Sequence, residues 1–328
     1  MPKRLLKSLL AHYTSMDLVN SVFFMLLALF TLLYHQDIPG WELFLVSDAL
    51  VIGAIVVLAR FAARRGHIWN LLHGFYMMLC IPIAFKQMYF LVPAINPIDY
   101  DRALMAIDRA LFRSDPTHVL MAIAHPVLTE VLQIAYGSFY LLPLILAVDL
   151  YRKMRMKAFK TVFMMVILGF YLSYLGYVAV PAIGPRFTLH TFDSKDAELP
   201  GLLLTTPLRA YTNTGESIPP GTPDPAATVQ RDVFPSGHTQ ITLLVMLLAF
   251  RYRARTRWFL LVTGSLLILA TVYLRYHYVI DLIGGALFAV LTLQLGRIID
   301  DWWTARRQRY AAQTMHWRTD VRGASHPS

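Results

Sequence analysis

Two histidines in this sequence have neighbours that suit phosphoryl transfer. His277 and Asp281 stand four positions apart, a spacing that puts both side chains on one face of a helix. A carboxylate there can accept a hydrogen bond from one imidazole nitrogen, which leaves the other nitrogen as a nucleophile or a base. An interfacial pair that merely forms a hydrogen bond has the same spacing, so this pair alone leaves both interpretations open.

The second histidine, His238, lies in the sequence PSGHT, which predicts the start of a helix. Free N–H groups at a helix start, together with the positive end of its dipole, suit an anion. Gly237 lets the backbone approach a ligand closely. Ser236 can cap the helix, or its hydroxyl can donate to a phosphate oxygen. The combination of PSGHT with a later HYVID is much rarer than either motif by itself.

Two arginines are candidates for phosphate binding. Arg186 lies in the Gly-Pro-Arg turn of PAIGPRF, and its guanidinium can bind two phosphate oxygens in one plane. The alternative for Arg186 is an extended side chain that reaches lipid headgroups. Arg275 precedes His277 by two residues and could turn toward the same pocket at a helix start. Such a set supplies a nucleophile, an acid for the leaving group and positive donors around the phosphoryl oxygens.

The elements that must position these residues are membrane helices. The chain has 328 residues, of which 56% are hydrophobic and 15% are charged, against roughly a quarter charged in soluble domains. The apolar residues form blocks near the bilayer-spanning length of about 17 to 25 residues, and lipid requires such blocks to be helical. We expect an all-α polytopic transmembrane helical bundle with about eight spans, of which the sixth is short. The predicted spans are 16–34, 41–59, 69–92, 127–150, 159–180, 238–250, 258–274 and 279–299.

The basic residues predict the orientation of the bundle. With the N-terminus in the cytoplasm, basic clusters at 3–7, 60–65, 152–160, 251–257 and from 297 onward all fall on the cytoplasmic side. The three motifs then meet at the opposite, outer boundary. This arrangement explains the net charge of +10 without nucleic acid as a partner. We expect both termini in the cytoplasm, a site on the periplasmic or extracellular face, and a bacterial plasma membrane.

Two long segments lie outside the predicted spans. Residues 94–126 contain DRALMAIDRALF, whose apolar positions predict a short helix at the membrane surface. Residues 181–235 are rich in Gly, Pro and Thr and predict an irregular, functional loop. We therefore divide the chain into N-terminal transmembrane helices at 1–93, a catalytic membrane domain at 94–299 and a polar cytoplasmic tail at 300–328.

The N-terminal segment lacks a small-residue cleavage site, so no cleaved signal peptide is expected. The single Cys80 excludes a disulfide within the chain and a cysteine-based metal site.

These motifs resemble those of the type 2 phosphatidic acid phosphatase superfamily of membrane lipid phosphatases and phosphotransferases. PSGH is intact, His277 and Asp281 match the last motif, and Arg186 matches the arginine of the first. The resemblance covers roughly residues 127–299 and implies a six-helix phosphatase-type core. It also implies a membrane lipid phosphate as substrate.

The sequence departs from the superfamily pattern at its basic positions. Ala179 stands near the place of the first motif's lysine, Phe187 replaces the proline after Arg186, and Ala270-Thr271 replaces a Ser-Arg pair. Arg275 is one candidate substitute. Lys86 is another, with a side chain extended to the headgroups as its alternative. HYVID without the Ser-Arg pair, together with PAIGPRF, is similar to the inositol phosphorylceramide synthase-like group and resembles sphingomyelin synthases.

The resemblance implies a mechanism. His277 attacks phosphorus and forms a phosphohistidine, Asp281 orients it, and His238 protonates the leaving alcohol and then activates the acceptor. The expected phosphate-binding residues are Arg186, Ser236, Gly237 and Arg275. No metal or cofactor is required, because arginines supply the positive charge. Water as the acceptor makes the protein a phosphatase, whereas a lipid or sugar alcohol makes it a headgroup transferase, and the motifs leave both open.

Other classes of protein stay under consideration. A transporter or channel predicts polar residues in the middle of several spans, whereas this sequence places them mainly at one edge. A non-catalytic membrane scaffold stays open because basic motif residues are missing.

Overall fold

The regular elements of this chain are helices. The structure is a computed structural model that describes residues 10–62 and 66–323, without the side chains of residue 67 and residues 313–323. Within those ranges every regular element is an α-helix or a 3-10 helix, and no strand occurs. The predicted all-α class is therefore confirmed. The basic residues Lys3, Arg4, Lys7, Arg64 and Arg65, on which part of the predicted orientation depends, lie outside the described residues, as does most of the segment judged for a signal peptide.

The helices follow one another in the order below. The first eight are α1 (Ser15–Leu33), α2 (Trp41–Ala62), α3 (Gly66–Phe75), α4 (Met77–Ile95), α5 (Asp101–Phe112), α6 (Pro116–Met121), α7 (Pro126–Gly137) and α8 (Leu141–Arg152). The next eight are α9 (Met156–Ala179), α10 (Pro185–Thr188), α11 (Lys195–Glu198), α12 (Thr205–Gly215), α13 (Pro225–Thr228), α14 (Gly237–Arg251), α15 (Arg257–Tyr273) and α16 (Val279–Gly323).

The chain is a multi-pass membrane protein by the length and composition of its helices. Among the described residues, five helical segments are long and apolar enough to cross a bilayer: α1, α2, residues 68–95, α9 and the part of α16 up to residue 312. A sixth crossing results if α7 and α8, which meet at a bend of 57°, form one span. Each of the eight predicted segments is helical, but α14 has only 15 residues and α15 only 17. At 1.5 Å per residue, these two helices are shorter than the roughly 30 Å hydrocarbon core.

The chain divides into two compact units. Residues 1–87 and 294–328 form the first, and residues 88–293 form the second. In the first unit, the Trp303 indole donates to the Tyr13 carbonyl over 2.8 Å and the Ser15 hydroxyl donates to Asp300 over 2.6 Å. The start of the predicted tail is thus part of a helix that packs on the N-terminal segment. The predicted domains and the cytoplasmic location of the tail stay predictions.

The second unit is organised around α14, the helix that begins with PSGH. Its buried Gln240 donates to the Gly169 carbonyl on α9 over 2.9 Å and to the Thr292 hydroxyl on α16 over 3.0 Å. The Ser173 hydroxyl on α9 donates to the same amide over 2.5 Å. Interhelical hydrogen bonds and small residues at the contact allow close helix packing in an apolar environment. The amide therefore connects three helices and sets the position of the helix that carries His238.

The two long segments contain more helix than expected. The predicted short helix is confirmed as α5, whereas its location at the membrane surface stays a prediction. Its buried face carries Asp101, Leu104 and Asp108, while Ile107 and Leu111 are exposed. Residues 181–235, predicted as irregular, include α12. The Glu130 carboxylate accepts hydrogen bonds from the N–H groups of residues 202–205 and thereby caps α12 from a distant helix. Local sequence could not reveal this cap, because Glu130 is far away along the chain.

Close packing between α16 and α14 predicts that Gly285 tolerates no side chain. A Cβ at Gly285 would lie 2.6 Å from the Ser236 carbonyl oxygen and 3.2 Å from the Gln240 nitrogen, both backbone atoms. We expect Gly285→Ala to destabilise the protein by about 1 to 3 kcal/mol, the usual cost of overpacking, and to lower the melting temperature in detergent.

Gly53→Ala is the matched control, because nothing lies within 4 Å of a Cβ at that helical position. We expect Gly53→Ala to leave the melting temperature unchanged or to raise it slightly, as alanine is the better helix former by about 1 kcal/mol. An equal response of the two variants would contradict the proposed packing constraint.

Candidate active site

The His277 and Asp281 side chains meet at the start of α16. Nδ1 of His277 lies 3.4 Å from Oδ2 of Asp281, and the two residues are 4% and 0% exposed. The same carboxylate oxygen accepts the Tyr278 N–H over 2.7 Å. The predicted pair is thus brought together at ion-pair distance, and a small rotation of the ring would give a hydrogen bond. Contacts of this length are common in unliganded sites and shorten when substrate binds.

His238 lies at the start of α14, beside His277. The centroids of the two imidazole rings are 5.7 Å apart, in a T-shaped arrangement. The Ser236 hydroxyl accepts the Thr239 N–H over 3.2 Å, so Ser236 caps the helix as predicted. The Ser236 N–H in turn donates to the Asp281 carbonyl over 2.9 Å. This bond joins the two histidine motifs directly.

Gly237 has a packing role that sequence reasoning did not anticipate. A Cβ at this position would lie 2.5 Å from the Tyr177 hydroxyl on α9. Glycine is therefore needed for contact between α14 and α9, and its predicted approach to a phosphate stays a prediction.

Arg186 is buried beside the histidines, with 3% of its surface exposed. Its guanidinium forms an ion pair with Glu216 and donates to the Asn213 side chain over 3.4 Å, while its Nε has no hydrogen-bond partner among the described residues. Burial acts to lower the pKa of Arg186, but the Glu216 carboxylate outweighs it and raises that pKa above its usual value. The side chain is thus a fixed cation inside the protein, and it does not extend to a lipid-facing surface.

The Gly-Pro-Arg turn depends on its glycine. Gly184 has a φ of 92°, and a Cβ there would lie 2.9 Å from the Tyr276 carbonyl oxygen. Such a backbone conformation is costly for residues with a side chain. The turn therefore lies directly against the loop that precedes His277.

Arg275 lies in a different environment from the one predicted. It is fully buried, and its Nη1 lies 2.5 Å from a Glu198 carboxylate oxygen while its Nη2 contacts the Met121 sulfur over 3.1 Å. A hydrogen bond from Ser194, followed by the Arg275 guanidinium, lowers the pKa of Glu198. The role of Arg275 in phosphate binding stays a prediction. Lys86, the other candidate substitute, is exposed and belongs to the first unit, and its role also stays a prediction.

Sequence reasoning missed two carboxylates on α5 that hold the site in place. Asp101 accepts the N–H groups of Ile183 and Gly184 over 3.0 and 2.8 Å, and also the Tyr278 hydroxyl over 2.8 Å. Asp108 accepts the first N–H groups of α16, those of Val279 and Ile280, over 2.8 Å each. The signal was present in the sequence, because aspartates seven positions apart lie on one face of a helix. Their partners could not be inferred.

Aromatic rings connect His238 with the cations of residues 181–235. The Tyr136 ring stacks on His238 with centroids 4.5 Å apart and on Tyr276 with centroids 4.4 Å apart. Arg186 lies 4.9 Å from the centroid of Tyr276, and the Lys195 ammonium lies 3.7 Å from it. Sequence reasoning missed Lys195, because a lone lysine in a polar loop carries no pattern.

A family model described as the PAP2 superfamily matches residues 102–295, which include both histidine motifs, Arg186 and Arg275 but not Lys86. No curated protein and no solved structure gives a significant match to the chain. Among the described side chains, no cluster of three or more His, Cys, Asp or Glu is placed to hold a metal ion.

The two hydrogen bonds that Asp108 accepts predict a positioning role for this residue. Asparagine has only one side-chain oxygen, so in Asp108→Asn the amide nitrogen must face one of the two backbone N–H groups. The loss of such a helix cap lowers stability by about 0.5 to 2 kcal/mol. We expect the kcat of a phosphatase-type reaction to fall several-fold, because the start of α16 carries Asp281 and lies next to His277.

Asp115→Asn serves as the control on the neighbouring turn. Asp115 pairs with the half-exposed Arg109, and exposed pairs contribute about 0 to 1 kcal/mol, so its loss should leave kcat unchanged. A steady-state assay of both variants tests the positioning role of Asp108. Equal kcat values for Asp108→Asn and wild type would rule out that role.

Proposed function

Because the chain belongs to the PAP2 superfamily, that of the type 2 phosphatidic acid phosphatases, we propose that it transfers phosphoryl groups from membrane lipid phosphates through a phosphohistidine at His277. Membership of this superfamily indicates a phosphatase-type membrane enzyme. The substrate, the intermediate and the roles of individual residues are our proposal.

One observation carries the proposal: two histidines lie side by side, and only His277 has a carboxylate neighbour. The Asp281 carboxylate lies 3.4 Å from Nδ1 of His277, which favours the proton on that nitrogen and leaves Nε2 free to attack. His238 has aromatic neighbours instead, Tyr136 and Phe139, at centroid distances of 4.5 and 4.2 Å. This asymmetry supports His277 as the nucleophile and His238 as the acid and base.

The proposed reaction has two steps. Nε2 of His277 forms a bond to phosphorus while the bond from phosphorus to the leaving oxygen breaks, and His238 gives its proton to that oxygen. His238 then takes a proton from the acceptor hydroxyl, whose oxygen attacks the phosphohistidine and releases His277. Arg186 stabilises the charge of the phosphoryl oxygens, supported by the α14 N-terminus with Ser236 and Gly237. Proton transfer by a positioned side chain contributes about 10²- to 10⁴-fold to such reactions.

The acceptor separates two versions of the function. Water as the acceptor gives a lipid-phosphate phosphatase; our leading proposal, a lipid-phosphate phosphatase or phosphotransferase, leaves the acceptor open. A lipid or sugar alcohol gives a phospholipid headgroup transferase of the inositol phosphorylceramide or sphingomyelin synthase type. The altered basic motifs favour that second version, because they are similar to those of the synthase-like group.

Labelling of the enzyme by a lipid phosphate that carries labelled phosphorus tests the nucleophile. Wild type should become covalently labelled on histidine during turnover, and His277→Ala should not. His35→Ala is the control, since His35 is exposed and contacts the Leu32 carbonyl and the Trp41 ring, and it should label like wild type. Persistent label in His277→Ala would disprove the assignment, and a wild type that neither labels nor turns over would favour a transporter or a scaffold.

The same experiment separates the roles of the histidines and the two acceptors. With a nitrophenyl ester, whose leaving group needs no proton, His238→Ala should still become labelled and should hold the label longer than wild type. Free phosphate as the only product, even with added lipid or sugar alcohols, would exclude the transferase. A new phosphodiester would exclude the simple phosphatase.

We further propose that the site faces the outside of a bacterial plasma membrane, with both termini in the cytoplasm. The protein has one cysteine, the buried Cys80, so introduced cysteines report their own location. Pro223→Cys and Lys157→Cys place the probe at exposed positions in residues 181–235 and at the start of α9, respectively. In intact cells an impermeant maleimide should label only Pro223→Cys, and labelling of Lys157→Cys without permeabilisation would contradict this orientation.

A further inference from the structure

Residues 181–235 enclose a cavity that none of the sequence motifs lines. Its volume is about 400 Å³, and its walls come from α11, α12 and the Pro-rich turn that follows α12. Lys195 and Arg209 supply its buried polar lining, the half-buried Asn213 adds a further polar group, and Phe192 and Ile218 supply apolar surface. The exposed Asp193 and Asp196, the latter paired with Arg209, also line the cavity. The cavity adjoins the candidate active site, since Asn213 is also a hydrogen-bond partner of Arg186.

Arg186, Arg209 and Arg275 lie close enough to Lys195 to repel its charge, and these three arginines already have carboxylate partners. Arg186 pairs with Glu216, Arg209 pairs with Asp196 over 2.5 Å, and Arg275 pairs with Glu198 over 2.5 Å. Pairing of this kind is what permits a charged side chain to be buried.

Lys195 is the exception among these four. Only 6% of its surface is exposed, no carboxylate of the described residues forms an ion pair with it, and its ammonium rests on the Tyr276 ring. A cation–π contact alone is a weak substitute for an anion, at about 0.5 to 2 kcal/mol. The buried cation is therefore available to a negatively charged ligand that enters the cavity.

We infer that the cavity is an oxyanion subsite in which Lys195 binds a phosphate group, carried by a lipid headgroup or free in solution, next to Arg186. The subsite deepens the proposed function, on which its role in catalysis rests, and it supplies a basic contact that the altered motifs lack. Arg209 and Asn213 lie beside the same space and can donate to further oxygens.

The electrostatics of Lys195 agree with this role. Burial, followed by repulsion from Arg186 and Arg209, lowers the pKa of Lys195 well below its usual value. An oxyanion beside the ammonium reverses this effect and favours the charged form. Phosphate binding is then coupled to proton uptake, so affinity falls as the pH rises above the lowered pKa of the unliganded lysine.

Phosphate binding to the full chain in nanodiscs of neutral lipid tests the subsite. Inorganic phosphate and a short-chain lipid phosphonate, which cannot be hydrolysed, are titrated separately by calorimetry. We expect Lys195→Gln to weaken binding by about tenfold or more, as befits loss of a hydrogen bond to a charged group, and Lys195→Arg to retain most of the affinity. Lys153→Gln is the matched control, because Lys153 pairs with Asp149 elsewhere in the chain.

A second pair of variants tests the cavity itself without changing charge. Ala210 lines the cavity, whereas Ala227 is exposed in the same segment and does not line it. Ala210→Trp should weaken binding as Lys195→Gln does, and Ala227→Trp should bind like wild type. If Lys195→Gln weakened binding but Ala210→Trp did not, the cavity would be excluded as the subsite.

Binding of the two ligands to Lys195→Gln, together with an assay of phosphoryl transfer, distinguishes the possible outcomes. Weaker binding of both ligands means that the subsite accepts any phosphate, and weaker binding of the phosphonate alone identifies the headgroup as its ligand. Unchanged affinity in Lys195→Gln, or no saturable binding of either ligand to wild type, would overturn the subsite. Phosphate binding that depends on Lys195 in a protein without phosphoryl transfer would refute the proposed function and leave the subsite intact.

Discussion

Helices that begin within an apolar bundle need partners for their first N–H groups, because lipid offers none. In this protein side chains meet that need, and two of them come from other helices. Asp108 on α5 caps α16, Glu130 on α7 caps α12, and Ser236 caps α14 from the residue before it. The first cap has the widest effect, since α5 also holds the Gly184 turn through Asp101. One amphipathic helix thus sets the positions of both Arg186 and the start of the helix that carries Asp281.

The segment between α9 and α14 supplies carboxylate partners for three buried arginines. The arginines at 186, 209 and 275 are all at most 5% exposed, and each has a carboxylate from residues 196–216 as its partner. Removal of one partner from such a pair leaves an uncompensated charge, which costs several kcal/mol. The folded arrangement of residues 181–235 and the orientation of the arginines are therefore interdependent. In the proposed mechanism, a phosphate that binds Arg186 shares this side chain with Glu216.

The helices and the motif residues could be predicted from the local sequence pattern, whereas the long-range contacts of the site could not. Apolar periodicity identified the helices. His238, His277 and Asp281 lie together, in agreement with the predicted convergence of the motifs, but His277 precedes α16 and so does not share a helical face with Asp281. The number of membrane crossings was harder to predict. Pro126–Gly137 and Leu141–Arg152 form one apolar run in the sequence, but a bend of 57° separates them in the structure. Contacts such as that of Arg275 with Glu198 involve residues far apart in sequence. They depend on tertiary packing, so neither propensity nor spacing reveals them.

A stack of three aromatic rings, His238, Tyr136 and Tyr276, connects the two histidine motifs through contacts that neither motif makes alone. Tyr136 lies between His238 and Tyr276, and the Lys195 ammonium rests on Tyr276. Stacked rings have few rotamers and little freedom once buried. They hold the imidazole of His238 at a set position relative to the cations, before any substrate arrives. Catalysis by electrostatic stabilisation depends on such preorganisation, because groups that are already placed need not reorganise as charge develops on the phosphoryl oxygens. In the proposed mechanism the tyrosines at 136 and 276 take no part in proton transfer, but they hold the proposed acid His238 and the cations Arg186 and Lys195 at set positions relative to one another.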